Sequence, residues 1–275
     1  MRPLAEQTIL VTGATDGVGR ALAGELAARG ATLLVHGRDQ SRGRRTVEEI
    51  KDETGNQAVH WLRADLASLA EVRGLADQLM SEWTALHALV NNAGIGTTLP
   101  GDGRRMESRD GYELRFAVNY LSGYLLTRRL LPLLTRSAPG RIVNVSSAAQ
   151  TPLDFDDVML ERGYDGMRAY AQSKLAQVMF TFDLAEELAG SEVTANCLHP
   201  GTFMPTKMVR AAGVTPVTSL EDGVRATLRL IADPALDGLS GRYFNGEREA
   251  EPHPQARDPE ARRRLRELSD RLVDP

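Results

Sequence analysis

Short apolar runs alternate along this chain with longer segments in which apolar residues recur every three or four positions. Several short runs are apolar throughout, as expected for strands that are covered on both faces of a sheet. The pattern predicts seven strands, at Thr8–Val11, Ala31–Val35, Ala58–Leu62, Ala88–Asn91, Arg141–Val145, Val193–Leu198 and Arg242–Phe244. It predicts helices between them, at Gly19–Arg29, Arg42–Glu53, Ser68–Trp83, Gly111–Thr135, Met167–Ala189 and Ser219–Ile231.

Strict alternation of strand and helix is typical of βαβ units, so it predicts an α/β fold with a doubly wound parallel sheet and helices on both faces. Two helix starts, Ser68 with Glu71 and Thr218 with Glu221, carry the signature of a capping box. Because the chain shows no repeat and no low-complexity linker, we expect one domain over residues 1–275. A tail helix is expected at about 258–272, with the run of arginines at 262–264 as a solvated face.

Composition and charge narrow the classes of function. The net charge of −4 argues against nucleic-acid binding, since such domains usually carry a basic excess. The single cysteine, Cys197, cannot form an intrachain disulfide, which fits a reducing compartment. No apolar run is long enough for a signal peptide or a membrane span. We therefore expect a cytoplasmic protein that binds neither a membrane nor a nucleic acid, and we expect no metal site.

A glycine-rich turn, TGATDGVG at 12–19, joins the first strand to the first helix. Its glycines allow a sharp turn, close approach of the backbone to a pyrophosphate, and close packing of the helix on the sheet. The helix N-terminus offers free N–H groups to phosphates. The turn therefore predicts a dinucleotide site, although a purely structural turn is an alternative and the spacing GxxxGxG differs from the common GxGxxG. The expected cofactor contacts are Gly13, Thr15, Asp16, Gly17, Val18 and Gly19.

The end of the second strand carries the evidence on which nicotinamide cofactor is bound. NAD-binding folds often place an acidic residue here to hold the ribose hydroxyls. This chain has Gly37 followed by Arg38, and an arginine binds a 2′-phosphate that a carboxylate would repel. We therefore expect NADP(H), with Arg38 on the phosphate. The alternative is that Asp39 folds back onto the ribose while Arg38 is only solvated.

Polar residues also follow the third and fourth strands. Asp65, next to Leu66, is expected to accept a hydrogen bond from the adenine amino group or to cap the following helix. The segment NNAG at 91–94 ends the fourth strand, where such sheets bind ligands. It can contact the cofactor through Asn92, Ala93 and Gly94, stitch neighbouring strands together, or do both.

Tyr170 and Lys174 lie four positions apart within a predicted helix, which places them on one face, one turn apart. A nearby ammonium stabilises a phenolate and lowers the pKa of a tyrosine from about 10, which suits a general acid or base. Alone, this pair is more often structural than functional. Ser146 and Ser147 end the preceding strand, where a hydroxyl can donate to a substrate oxygen. Asn119 lies in the long helix before that strand.

Taken together, these residues make the sequence resemble the short-chain dehydrogenase/reductase family over nearly its whole length. The segments that carry the resemblance occur in the family's order: TGATDGVG (12–19), NNAG (91–94), VNY (118–120), RIVNVSS (141–147), YAQSK (170–174) and LHPG (198–201). The resemblance implies a single Rossmann-like domain with the catalytic tetrad Asn119, Ser147, Tyr170 and Lys174. Ser146 should then point elsewhere, because adjacent strand residues face opposite ways.

In such enzymes the tyrosine exchanges a proton with the substrate oxygen, and the lysine holds the nicotinamide ribose and tunes the tyrosine. The serine orients the carbonyl, and the asparagine supports a water relay. The resemblance implies nicotinamide contacts from Tyr170, Lys174, Pro200, Gly201 and Thr202, with Thr206 as a weaker candidate. Relatives often dimerise through the tyrosine helix, so we expect a homodimer, although the long tail could block some of those contacts.

Three segments are similar to the retinol-dehydrogenase-like branch, at 110–127, 169–180 and 241–272. That branch typically uses NADP(H) and acts on aldehydes, ketones and alcohols. The insertion between Ser147 and Tyr170, which contains Phe155, is a candidate pocket wall. The segment 202–218 resembles a substrate lid, and its Met204, Met208 and Val209 suggest an apolar lining, with ordinary packing as an equal alternative.

These observations together predict an NADP(H)-dependent carbonyl reductase or alcohol dehydrogenase that acts on a small apolar molecule. Reduction is the expected direction, because cells keep NADPH reduced. Two alternatives stay open. One is a catalytically silent NADP(H)-binding regulator, and the other is a C=C reductase, epimerase or dehydratase on the same fold.

Overall fold

The computed structural model describes residues 2–98 and 103–274, except for the side chain of Met208. Alternate residues of each central strand enter opposite cores: Leu10 packs in one apolar cluster, while Ile9 and Val11 pack in the other. The strands are apolar on both faces because both are covered. Within the described residues the strands are β1 (Thr8–Val11), β2 (Thr32–Gly37), β3 (Val59–Arg63), β4 (Ala88–Asn91), β5 (Gly140–Val145), β6 (Val193–His199), β7 (Tyr243–Asn245) and β8 (Arg248–Glu249).

The strands form one sheet in the order β3-β2-β1-β4-β5-β6-β7-β8. The seven predicted strands pair in parallel, which confirms the predicted doubly wound sheet. The eighth strand was not predicted. It pairs antiparallel to β7 and contains only two exposed residues, so it has no apolar pattern to detect.

The part of the chain that the structure describes contains eight α-helices. Six of them were predicted between strands, and most of their first and last residues differ from the predicted ones. The eight helices are α1 (Gly17–Ala28), α2 (Gln40–Thr54), α3 (Leu69–Glu82), α4 (Ser122–Arg136), α5 (Gly166–Glu187), α6 (Lys207–Ala211), α7 (Leu220–Ala232) and α8 (Pro259–Val273). Helices α1, α2 and α7 cover one face of the sheet, and α3, α4 and α5 cover the other. No helix in the described ranges is long and apolar enough to cross a membrane.

The predicted capping boxes are only partly correct. The Ser68 hydroxyl accepts from the Glu71 N–H at 3.4 Å, but the Glu71 carboxylate accepts from the Asp65 N–H at 2.9 Å instead of returning to Ser68. The second box was wrong by one residue. Ser219, rather than Thr218, caps α7 and accepts from Asp222 N–H at 3.1 Å.

The tail forms α8, which packs against α5 and against the helical segment that leads into α4. The Tyr120 and Ser269 hydroxyls lie 2.6 Å apart, and Arg262 pairs with Glu186 at 2.7 Å. Arg262 is therefore buried, contrary to the prediction that the whole arginine run is solvated, because its helix face lies on α5. Residues 263 and 264 of the run are exposed as predicted.

The topology places one crevice at the carboxyl ends of β1 and β4. From β1 the chain winds outwards to β2 and β3, and it then returns to β4 on the other side of β1. The connections after β1 and β4 therefore lead in opposite directions, which opens the space where sheets of this type bind ligands.

Candidate active site

A cleft of about 690 Å³ follows the carboxyl edge of the sheet, within the size range of small-molecule and cofactor sites. The structure brings every residue predicted to contact the cofactor to this one cleft. They are Gly13, Thr15, Asp16, Gly17, Val18, Gly19, Arg38, Asp65, Leu66, Asn92, Ala93, Gly94, Tyr170, Lys174, Pro200, Gly201 and Thr202.

The glycine-rich turn has no room for side chains. Gly13 has a φ of +65°, and a Cβ there would lie 2.8 Å from the Ala93 Cα. A Cβ on Gly19 would lie 2.4 Å from the Asn92 amide nitrogen and 2.5 Å from the Gly13 carbonyl oxygen. The turns after β1 and β4 are thus packed directly against each other. The Thr12 hydroxyl joins them further by accepting from the N–H groups of Asn92 and Ala93, each at 3.0 Å.

We expect that replacing Gly19 by alanine weakens NADPH binding at least tenfold and lowers stability by about 1–3 kcal/mol, because the new methyl group overpacks both turns. Isothermal titration with NADPH and thermal unfolding measure the two effects. Gly74→Ala is the matched control, since a Cβ there meets nothing within 4 Å. Equal behaviour of the two variants would show that the packing of the turn does not matter.

One residue at this end was not singled out from the sequence. His36 is buried, which lowers its pKa to about 4 and keeps the ring neutral. Its Nδ1 accepts from the Gly13 N–H at 3.3 Å, and its Nε2 lies 3.2 Å from the Ala64 carbonyl oxygen. His36 therefore fixes the glycine-rich turn against the end of β3. Thr206, the weaker candidate from the sequence, also lines the cleft and covers the turn, since a Cβ on Gly17 would lie 3.1 Å from its methyl group.

The end of β2 is built without a carboxylate. A Cβ on Gly37 would meet the Thr15 methyl group at 2.9 Å and the Trp61 ring at 3.0 Å. The Asp39 carboxylate is used locally, because it accepts from the Arg42 N–H at 2.9 Å and caps α2. Asp39 also lines this end of the cleft, so the alternative in which it reaches a ribose stays open.

Arg38 and Arg42 both line the cleft beside Gly37. Within the described residues, neither guanidinium group forms a hydrogen bond or an ion pair. Two guanidinium groups therefore face this end of the cleft, beside the Asp39 carboxylate. This donor set suits a phosphate group.

Asp65 and the amides after β4 have structural partners as well as positions on the cleft. The Asp65 carboxylate accepts from the Ala67 N–H at 3.1 Å and pairs with Arg109 at 3.6 Å. The Asn91 amide joins β4 to its neighbour by donating to the Asn144 side chain at 2.8 Å. Asn91 therefore joins neighbouring strands, whereas Asn92 lines the cleft, and its contact with a cofactor stays a prediction.

The catalytic candidates meet at the other end of the cleft. Tyr170 and Lys174 lie one turn apart on α5, and the lysine nitrogen lies 5.7 Å from the centre of the tyrosine ring. The Lys174 ammonium donates to the Val145 carbonyl and to the Gln177 side chain, each at 2.9 Å. Ser146 points away from the site, as expected, and its hydroxyl donates to the Lys174 carbonyl oxygen at 2.8 Å.

Burial controls the acidity of both groups. It lowers the pKa of Lys174 to about 7. It raises the pKa of Tyr170 above the ordinary value of 10, while a hydrogen bond with Ser147 partly opposes that shift. The net direction for Tyr170 is therefore opposite to the one expected from a neighbouring ammonium alone. The phenol is protonated at neutral pH, which suits a proton donor.

Asn119 lies in a π-helical turn, Phe116–Leu121, which precedes α4 and was predicted as ordinary helix. Such widened turns often occur at functional sites. The Asn119 amide accepts from the Ile95 N–H at 2.8 Å and donates to the Ser173 hydroxyl at 2.9 Å. Asn119 does not line the main cleft but lies behind Ile95. A Cβ on Gly94 would come within 3.3 Å of Asn119 and 3.5 Å of the Lys174 nitrogen, so this glycine keeps the space between them open.

The substrate end of the cleft is apolar, and much of it is exposed. Met167 is 55% exposed and Phe203 is 47% exposed, and Val209 lines the cleft beside them. Phe155 was wrongly expected on this wall. It packs under the Arg264 guanidinium of α8, 4.5 Å from ring centre to cation, because the insertion folds towards the tail. The side chain of Met208 lies outside the described residues.

These residues fit a phosphorylated dinucleotide with its nicotinamide beside Tyr170. A glycine turn at a helix N-terminus and two free arginines occupy one end of the cleft, and a buried lysine beside a protonated tyrosine occupies the other. The arrangement can transfer a proton to or from an oxygen placed between Ser147 and Tyr170. No group of His, Cys, Asp and Glu in the described ranges is arranged to hold a metal ion.

Comparisons with known proteins place the chain among enzymes. The short chain dehydrogenase family model matches residues 7–215. Human retinol dehydrogenase 13 is 38% identical over 97% of this chain and 84% of its own length. Mouse polyprenol dehydrogenase is 39% identical over 96% of this chain and 82% of its own length. A short chain dehydrogenase of Escherichia coli, solved with NADPH, is 29% identical with a TM-score of 0.72, covering 88% of this chain and 97% of its own.

Proposed function

This chain belongs to the short-chain dehydrogenase family, in its retinol-dehydrogenase-like branch, and we propose that it is an NADP(H)-dependent reductase of apolar aldehydes or ketones. The observation that carries the proposal is the position of the Tyr170 phenol, which lines the apolar end of a dinucleotide-sized cleft together with Ser147 and Lys174. The same residues can catalyse the reverse oxidation of the alcohol.

NADPH, when bound, supplies the hydride. The chain's own residues handle the oxygen and its proton. Ser147 donates a hydrogen bond to the carbonyl oxygen and orients it, and Tyr170 transfers its proton as negative charge develops there. Lys174 titrates near neutral pH one turn away, so it can help to restore that proton. Reduction is the direction that we propose, because cells keep NADPH reduced.

An apolar substrate is supported by the mouth of the cleft. Met167 and Phe203 expose large apolar surfaces there, and Ile95, Val209 and Ala212 also line the cleft. Such surface is normally covered by a ligand or partner. The names of the relatives, retinol dehydrogenase and polyprenol dehydrogenase, also refer to apolar alcohols.

The preference for NADP(H) rests on the end of β2. The free guanidinium groups of Arg38 and Arg42 suit the 2′-phosphate, and Gly37 leaves no room for the carboxylate that would hold a ribose diol. A guanidinium group that binds a phosphate through charge-assisted hydrogen bonds contributes about 1.5–3 kcal/mol to the free energy of binding.

Replacing Arg38 by leucine should therefore weaken NADPH binding about 10- to 100-fold and leave NADH binding nearly unchanged, because only NADPH carries the phosphate. Fluorescence titration of the purified protein with each cofactor measures both constants. Arg44→Leu is the matched control, since Arg44 lies on the same helix but does not line the cleft. Tighter binding of NADH than NADPH by the unaltered protein would overturn the proposed preference.

The proposed reaction is tested by mixing the protein with NADPH and a panel of apolar aldehydes and ketones, including retinal, and following the nicotinamide absorbance. Consumption with any member supports the reductase. NADPH binding without consumption on the whole panel would favour a silent binding protein.

A homodimer and a cytoplasmic location stay predictions. Because α8 packs on α5, it covers part of the helix through which the dimer is expected. Analytical ultracentrifugation distinguishes a dimer from a monomer.

A further inference from the structure

A buried ionic cluster lies behind the substrate end of the cleft, and the proposed reaction does not use it. Arg115 is 0% exposed and Glu113 is 1% exposed, with 3.7 Å between the guanidinium and the carboxylate. The Tyr164 hydroxyl bridges them, since it accepts from Arg115 at 2.7 Å and donates to Glu113 at 2.9 Å. We call these three residues the Arg115 network. A buried ion pair is weak evidence for stability, so its geometry points to another role.

The network holds the segment that follows β4. The Arg115 guanidinium donates to the carbonyl oxygens of Gly96 and Thr97, at 2.8 and 2.7 Å. One turn further along the same helical segment, Asn119 accepts from the Ile95 N–H at 2.8 Å and donates to the Ile95 carbonyl at 3.2 Å. Residues 95–97 are therefore fixed by four hydrogen bonds, and Ile95 is the one that lines the cleft.

The network also holds the start of α5. Tyr164 directly precedes Asp165, which caps α5 by accepting from the Arg168 N–H at 2.7 Å. A Cβ on Gly166 would lie 2.5 Å from the Thr97 carbonyl oxygen, so the two segments are in contact. From this start, α5 presents Met167 and Tyr170 to the cleft.

We propose that the Arg115 network is a positioning unit that sets the distance between the Ile95 wall and the Met167–Tyr170 wall, and thereby the fit of the carbonyl substrate. None of its members lines the cleft, so it acts through the segments that it holds. Its effect on the substrate rests on the proposed reductase function, whereas its effect on the segment 95–97 does not.

The test compares Tyr164→Phe with Tyr112→Phe. Each variant loses one phenolic hydroxyl, and the Tyr112 hydroxyl donates to the Leu272 carbonyl oxygen at 3.0 Å, outside the network. The measurements are amide hydrogen exchange of residues 95–97, the Kd of NADPH, and kcat and KM for the best carbonyl substrate of the panel. Removing Arg115 itself is avoided, because an unpaired buried Glu113 could prevent folding.

For Tyr164→Phe we expect exchange at Ile95 to rise at least fivefold and KM to rise at least fivefold, with the Kd of NADPH within twofold of the unaltered protein. Tyr112→Phe should leave all three values unchanged. Unchanged exchange at 95–97, or faster exchange with an unchanged KM, would overturn the proposal. If the unaltered protein reduces no carbonyl, the reductase function fails on its own, and the exchange measurement still decides whether the network holds the segment.

Discussion

Replacing Tyr170 by phenylalanine should lower kcat for carbonyl reduction by about 10²–10⁴-fold, the usual contribution of a positioned general acid. The phenol lines the substrate end of the cleft together with Ser147, and Lys174 lies one helical turn away from it. Phenylalanine keeps the ring and its packing, so the Kd of NADPH should stay within about threefold. Steady-state turnover and a fluorescence titration of NADPH measure the two quantities on the same preparation.

Tyr243→Phe provides a matched control for that result. Its hydroxyl donates to the Ser147 carbonyl oxygen at 3.2 Å, but it does not line the cleft. We expect less than a tenfold loss of kcat in this variant, because the Ser147 hydroxyl and Tyr170 stay in place. Turnover that survives in Tyr170→Phe would exclude Tyr170 as the proton donor and reopen the alternative reactions on this fold.

The cofactor end of the site could be predicted from the sequence because its residues follow directly from strand ends. In a parallel sheet, the carboxyl ends of β1, β2, β3 and β4 share one edge, so short motifs after those strands meet there. The glycine turn at 13–19, Arg38 and the amides at 91–94 required only the strand assignments. The strands in turn were predictable from apolar runs that are buried on both faces.

Features that depend on side chains from distant segments could not be predicted. The Trp61 side chain, which lies on the neighbouring strand β3, fills the space beside Gly37. The pattern of apolar and polar residues did not predict this contact. Phe155 was expected to face the pocket, but the insertion folds towards α8. The Arg115 network joins three segments whose approach only the folded chain shows.

The pKa values of the catalytic groups also could not be predicted from the sequence. The spacing of Tyr170 and Lys174 predicted their common helix face, yet the direction of each pKa shift is dominated by burial, which is a property of the tertiary structure. The short polar strand β8 was not predicted for a different reason, because its two residues are both polar and show no alternation of apolar and polar positions.

Replacing Lys174 by methionine should abolish turnover but make the protein more stable at neutral and acidic pH. The lysine is 4% exposed, and burial lowers its pKa to about 7. Below that pH the group is charged in both the folded and the unfolded states, so the full cost of burying the charge is present. The cost disappears as the pH rises from about 7 towards the unfolded value of about 10.4, because only the unfolded state still binds the proton there.

The size of the effect follows from two opposing contributions. The lowered pKa corresponds to about 3–5 kcal/mol of destabilisation at pH 6.5. Methionine removes that cost but leaves the Val145 carbonyl and the Gln177 side chain without the donor that lies 2.9 Å from each, and each lost hydrogen bond costs about 1 kcal/mol. We therefore expect the unfolding midpoint of Lys174→Met to rise by about 3–8 °C at pH 6.5, with the gain falling to zero or below at pH 10.

Thermal unfolding of both proteins between pH 6 and pH 10 measures this difference, and Lys207→Met is the control. Lys207 is 68% exposed and pairs with Asp16 at 3.0 Å on the surface, so its replacement should give no gain that depends on pH in this range. A midpoint for Lys174→Met that is lower at every pH would mean that the hydrogen bonds of the lysine outweigh the cost of its burial. An unfolding midpoint of Lys174→Met that is higher only at low pH would mean that the buried Lys174 amine destabilises the folded protein. The proposed reaction requires an amine at this position.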